Sequence, residues 1–186
     1  RSDEHSTVGR KTSGRTTLAY LLDGNSKIRS SFGAGVRFPA LYDYKYGSSM
    51  MKANGSTLEA LQSERGLSFD LGYDTYLDNS DLGLGITIFR VEQKNSIVGN
   101  AQTDWIQANS MGKNTSQGVE LTGIWKPVNK KISLDFGYTF TNSYDANTCT
   151  ADQKASSADG ECHSRGSKIE TAKVRVPRHA LDSRIN

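Results

Sequence analysis

The feature that most limits the fold of this chain is an apolar repeat of two, broken by connections that alternate between short and long. Leu67, Phe69, Leu71 and Tyr73 alternate with Ser68, Asp70, Gly72 and Asp74. Leu82, Leu84, Ile86 and Ile88 alternate with Gly83, Gly85 and Thr87, and Ile132, Leu134, Phe136, Tyr138 and Phe140 with Ser133, Asp135, Gly137 and Thr139. Ile28 to Arg37 and Val119 to Lys126 follow the same rule. Further segments lie near 15–22 and after Pro177, so about seven strands are expected, each with one apolar and one polar face. A brief helical turn is expected over 57–65.

Asp23-Gly24-Asn25-Ser26-Lys27, Asp78-Asn79-Ser80-Asp81 and Pro127-Val128-Asn129-Lys130-Lys131 have the chemistry of tight turns. The intervening connections, about 38–66, 92–117 and 142–177, are long and polar. In an up-and-down antiparallel sheet, alternate connections lie at opposite ends. All the short turns therefore share one end and all the long loops the other. Transmembrane barrels are built this way, with an apolar band outside and polar residues inside. Arg29, Arg37, Asp70, Asp74, Glu120 and Asp135 would then face a wet lumen, while Tyr20, Tyr73, Trp125, Tyr138 and Phe140 would form an interfacial girdle. The alternative is a secreted, soluble β-sandwich that binds a ligand through its loops. It shares the alternation but gives no reason for long loops at one end only.

Composition agrees with this reading. The longest apolar run, Leu18 to Leu22, is far short of the ~20 residues of a membrane helix. A low mean hydropathy is compatible with a barrel, whose strands lack the helix-type signal. With 23 basic against 20 acidic residues and no dense basic run, nothing points to nucleic acid. No apolar leader follows Arg1-Ser2-Asp3-Glu4-His5, and the chain does not begin with Met, so a processed or partial chain is expected.

Several segments resemble, in order, the signatures of TonB-dependent outer-membrane receptors. Ser31-Phe32-Gly33-Ala34-Gly35-Val36-Arg37-Phe38-Pro39-Ala40-Leu41 is similar to that family's strand-to-loop passage. Asn54-Gly55 with Leu61-Gln62-Ser63-Glu64-Arg65-Gly66 resembles its next loop, although Ser63 stands where the family usually has Pro. Gln117-Gly118-Val119-Glu120-Leu121 resembles a Gly-Val-Glu strand start, and Tyr138-Thr139 with the later Pro177-Arg178-His179 resembles a late pair. The resemblance implies a 22-stranded type of barrel around a plug. It implies residence in the cell outer membrane and energy-coupled uptake of an iron–siderophore or cobalamin. The partners it implies are that ligand, outer-membrane lipid, and the TonB energy-coupling complex acting through a plug segment that is not visible here. Residues 1–186 would be an interior slice of the C-terminal half of such a barrel, with neither a plug nor the terminal aromatic after Arg184-Ile185-Asn186.

Within that frame the aromatic loop Tyr42, Tyr44 and Tyr46, together with Met50 and Trp105, is the expected ligand-contacting set. Tyr rings give flat amphipathic contact area at low entropic cost, and Met adapts its shape. Cys149 and Cys162 lie in one polar loop, where an extracellular disulfide would restrain the unfolded chain by about 3 kcal/mol; free thiols are the other possibility. With His163 they fall short of a zinc set, so no metal is expected. Asp70 and Asp74, about 13 Å apart at ~3.3 Å per residue, are too distant for a catalytic dyad and are expected as a solvated pair. No nucleophile or phosphate-loop motif is present, so neither enzyme activity nor a cofactor is expected.

Overall fold

The computed structural model of the chain describes residues 1–6, 8–43, 61–78, 81–98, 108–109, 113–127, 132–145, 163–164, 167–168, 171–172 and 176–185. The strands in chain order are β1 (Ser2–His5), β2 (Gly9–Thr12), β3 (Gly14–Leu21), β4 (Ser26–Arg37), β5 (Glu64–Leu77), β6 (Leu82–Lys94) and β7 (Ile97–Val98). They continue with β8 (Ala108–Asn109), β9 (Lys113–Trp125), β10 (Leu134–Asp145), β11 (His163–Ser164), β12 (Ser167–Lys168), β13 (Thr171–Ala172) and β14 (His179–Ile185). One antiparallel sheet dominates, in the order β13-β10-β9-β6-β5-β4-β3, with β14 also pairing β10. The pairs β7–β8 and β11–β12 are small ribbons in the loop-end connections, and the β1–β2 ribbon directly precedes β3. Among the described residues β3 and β14 do not pair, so the sheet is open.

The turns are built as their residues dictate. Asp23 accepts the Asn25 amide at 2.8 Å, and the Leu22 amide reaches Ser26 O at 2.9 Å, closing β3 onto β4. Neighbouring turns are tied sideways. Asn25 Nδ2 donates to Asp78 at 2.6 Å, and the Lys126 amide donates to Asp81 O at 3.0 Å. Asp81 holds a left-handed φ of 50°, which Asp tolerates better than most residues.

Register places the two faces as the alternation requires. Ile28, Tyr73, Ile86, Leu121, Tyr138 and Leu181 lie side by side across six strands. The next row on that face carries Leu71, Ile88, Val119 and Phe140. Many of these side chains are exposed, including Phe69, Leu71, Ile86 and Ile88. Phe136 lies flat over Gly123 on this face, filling the place a side chain would take. The opposite face carries Asp70, Gly72, Asp74, Thr87 and Ser31, and it is the more sheltered one. A soluble sandwich would cover the apolar face with a second sheet, and none does so among the described residues. Among the described residues the buried large apolar side chains are Leu61 and Ile97, both beside the loop-end strand termini.

The strands run further than the alternation marks. β5 has 14 residues and β6 and β9 have 13 each, so they extend about 40 Å or more at ~3.3 Å per residue. Backbone pairing continues through Arg37↔Glu64 and Lys94↔Lys113, where both faces are polar and no period-two apolar signal remains. The helical turn expected over 57–65 is corrected in part. Residues 57–60 lie outside the described residues, 61–63 are irregular, and Glu64 and Arg65 begin β5. Pairing of Glu64 with Arg37 across the sheet outweighs local helical preference there.

An open sheet with an uncovered apolar face and two free edges should not persist alone in water. Residues 1–186 expressed by themselves without detergent are expected to aggregate. Sedimentation of a folded monomer would contradict the face assignment.

Candidate functional site

The centre of the polar face is an ion-pair lattice organised by Arg29. Its Nε donates to Asp74 Oδ2 at 2.9 Å, its Nη2 donates to Thr87 Oγ1 at 2.7 Å, and its Nη1 stands 4.0 Å from Asp70 Oδ1. Lys27 adds a contact to Asp74 at 3.7 Å, and Arg15 reaches Asp70 at 3.8 Å. Ser31 donates a short hydrogen bond to Asp70 and accepts one from Arg15 at 3.0 Å. Gly72 makes the bridge possible. A Cβ there would lie 2.8 Å from Arg29 Cζ, so only a bare backbone lets the guanidinium cross β5 to reach both acids. Asp70 and Asp74 are therefore joined through one arginine rather than separately solvated, a link the spacing alone does not show. Three bases meet Asp70 and Asp74 here, Glu120 stands opposite Thr87 on the next strand, and each of the two aspartates keeps about a quarter of its side-chain surface open.

A second cluster sits at the loop end. Glu64 is 5% exposed and accepts from Arg37 at 2.8 Å, the Ile97 amide at 2.8 Å and Gln93 Nε2 at 3.3 Å. Asp43, also buried, accepts the Ala40 amide at 2.8 Å and pairs with Arg37 at 3.7 Å. One arginine thus pins the root of the loop after β4 to the start of β5, and Glu64 pins β5 to the loop after β6. Asn109 extends the clasp. It exchanges bonds of 2.6 and 2.9 Å with the Gln62 backbone and donates to Asn95 O at 2.7 Å. Asn95 takes a left-handed φ of 57° there. On the other side His5 stacks on Phe38 with centroids 5.2 Å apart, docking the β1–β2 hairpin onto the same loop root.

The expected ligand-contacting set falls almost wholly beyond this frame. Tyr42 is on a helical turn at 41–43, exposed, next to the buried Asp43. Tyr44, Tyr46, Met50, Trp105, Cys149 and Cys162 lie outside the described residues. What sequence reading missed is the pairing of Arg37 with Glu64 and Asp43. Arg37 and Glu64 were visible as motif members, but their register spans a long loop and no turn fixes it. Among the described residues no three metal-binding side chains converge, and the polar face carries acids and hydroxyls bridged by Arg29.

Buried hydrogen bonds to a charged acceptor contribute about 1.5–3 kcal/mol each. In the folded full-length protein, Glu64→Ala should speed hydrogen exchange at the Ile97 amide about ten- to a hundredfold and leave Leu71 and Ile88 unchanged. Unaltered exchange at Ile97 would show that the carboxylate does not hold the loop root. Arg37→Ala should have a smaller effect, because its side chain is 58% exposed.

The comparisons with known proteins agree with this geometry. No curated protein matches the chain in sequence. Among solved structures it is similar to the ferric yersiniabactin uptake receptor FyuA from Yersinia pestis, with TM-score 0.60 and 17% identity over 95% of this chain and 23% of that one. It is also similar to the ferric-catecholate import receptor Fiu from E. coli K12 in its closed form, with TM-score 0.58 and 16% identity over 94% of this chain and 22% of that one. For the siderophore receptor PirA from Pseudomonas aeruginosa the TM-score is 0.57 and the identity 19%, over 80% of this chain and 33% of that one. The chain thus spans a third or less of each of these receptors. The family described as TonB dependent receptor-like, beta-barrel, matches residues 1–181, and the chain belongs to that family of receptor barrels.

Proposed function

We propose that the chain is part of the barrel wall and extracellular loops of an outer-membrane receptor that imports a scarce, bulky nutrient by energy-coupled transport. The observation that carries this reading is the inversion of faces, with apolar side chains uncovered outside and a bridged polar lattice inside. Such a wall needs lipid on one side and a wet lumen on the other. An iron–siderophore is favoured over cobalamin as cargo, because the similar solved structures are described as receptors for ferric yersiniabactin, ferric catecholates and siderophores. The plug and its contact with the energy-coupling complex would belong to other parts of the receptor.

In this reading the polar lattice of Arg15, Lys27, Arg29, Asp70 and Asp74 faces the lumen. Its lateral ion pairs keep the wall polar and rigid without committing a charge to tight binding. The Arg37–Glu64–Asp43 clasp holds the loop roots so that the loops present their contacts in a fixed frame. Tyr42, Tyr44 and Tyr46, with Met50 and Trp105, would supply the ligand surface, and a Cys149–Cys162 disulfide would stiffen the last loop. The chemistry is capture and passage, with no bond made or broken.

Two measurements test the proposal. First, an antibody against residues 142–177 should detect, in the outer-membrane fraction, a band several times larger than 20.3 kDa that shifts on boiling. A soluble band near 20.3 kDa would refute it. Second, cells lacking the gene should lose uptake of a radio-iron chelate while keeping cobalamin uptake; the reverse pattern would reassign the cargo. Replacing Tyr42, Tyr44 and Tyr46 together with Ala should weaken chelate binding about tenfold or more, as loss of an aromatic contact cluster does.

A further inference from the structure

On the apolar face, just beyond the last hydrophobic row at the loop end, a cleft of about 480 Å³ lies between the β1–β2 hairpin and strands β4–β6. Ala34, Val36 and Leu67 line it, continuous with the apolar band. Arg10, Lys11, Arg65 and Lys94 also line it with the acid Glu92, and Arg10 pairs with Glu4 of the same hairpin at 3.3 Å. Glu92 is already engaged. It accepts from Arg90 at 2.6 Å and pairs with Lys113 at 3.7 Å.

The register sharpens the point. Arg65 sits directly opposite Lys94, and Lys94 directly opposite Lys113, on one face of three adjacent strands; Lys113 is paired with Glu92, and Arg65 and Lys94 face each other as like charges. Like charges in such positions repel and destabilise the pairing. An anion seated among them would relieve the repulsion. Arg65 lies two residues beyond Leu67 on the same face, or about 7 Å along the strand at ~3.3 Å per residue. That is the height at which a lipid headgroup stands above the acyl region that Leu67 and Phe69 would contact.

We infer that this cleft is a binding site for one anionic, phosphate-bearing lipid of the leaflet on the loop side. Its phosphate is held by Arg65 and Lys94 with Lys11 and Arg10 at the rim, and an acyl chain lies on Ala34, Val36 and Leu67. The occupant is a lipid rather than a soluble phosphate, because half of the cleft is an apolar floor that opens onto the apolar band. Binding joins the β1–β2 hairpin to β5 and β6 from outside, as the Arg37–Glu64 clasp joins the loop roots from inside. The inference rests on the reading of the apolar face as membrane-facing.

The test uses the full-length receptor in phosphatidylcholine nanodiscs with added phosphatidic acid, and native mass spectrometry to count retained phosphatidic acid. Near a membrane each Lys or Arg adds an appreciable attraction for anionic lipid. The paired change Arg65→Gln and Lys94→Gln should weaken retention about tenfold or more. Lys126→Gln, at the turn end, should leave it unchanged. Heat-modifiable migration verifies folding; if the double variant fails it, Lys94→Gln alone serves, with a smaller loss expected. Equal retention by wild type and folded variant overturns the proposal, and so does displacement of the lipid by inorganic phosphate. Failure of the underlying reading is distinguished by Leu71→Cys. Labelling of that cysteine by a water-soluble maleimide in the nanodisc would show that the apolar face is not in the bilayer. Protection of Leu71→Cys with unchanged lipid retention would overturn the lipid site alone.

Discussion

A sheet that keeps its apolar side uncovered must satisfy its backbone polar groups through its own ladders, because a hydrocarbon neighbour supplies no partners. The remaining features follow from that constraint. The main strands are long, antiparallel and paired residue for residue from β3 to β14, so their amides and carbonyls are spent laterally. Among the described residues the main sheet ends in unused pairing capacity at β3 on one side and at β13 and β14 on the other, as expected for a segment of a larger closed wall. The described apolar side chains gain little from burial against other protein. Cohesion comes from the ladders and from the polar face.

The polar face carries two kinds of electrostatic structure. At mid-strand, Arg29 reaches across a bare glycine to bridge two acids that its own strand could not bring together. These groups are partly open and share partners within a connected lattice. At the loop end Glu64 and Asp43 are buried and hold specific backbone amides, alongside the only large apolar side chains that are buried among the described residues. The lattice gives a uniform wall, while the clasp gives loops a defined origin. Under the function proposed above both would be needed, since a ligand surface made of long loops is only as well placed as the roots that carry it.

How much of this was legible differs from element to element. The turn residues Asp23-Gly24-Asn25 and Asp78 to Asp81 fix the registers of β3 with β4 and β5 with β6, and the alternation then assigns every residue to a face. Arg29, Arg37, Asp70, Asp74, Glu120 and Asp135 all fall on the polar face for that reason. β4 with β5, and β6 with β9, are joined by long loops, and nothing local sets their offset. The Arg37↔Glu64 and Lys94↔Lys113 pairings, and with them the clasp and the cationic row, are products of those offsets. Strand ends were also hidden, because above the apolar band both faces meet water and the repeat of two disappears while the hydrogen-bond ladder continues. The same loss of signal made 57–65 read as a helical turn, although Glu64 and Arg65 are strand.

The sequence by itself determined the strand faces, the polarity of each face and the gathering of the long loops at one end, because these follow from a period of two and from turn chemistry acting over a few residues. Only the tertiary structure decided which charges meet. Arg29 between Asp70 and Asp74, Glu64 beneath Arg37, and Lys94 between Arg65 and Lys113 are each set by alignment between strands distant in sequence. That alignment is a property of the whole sheet.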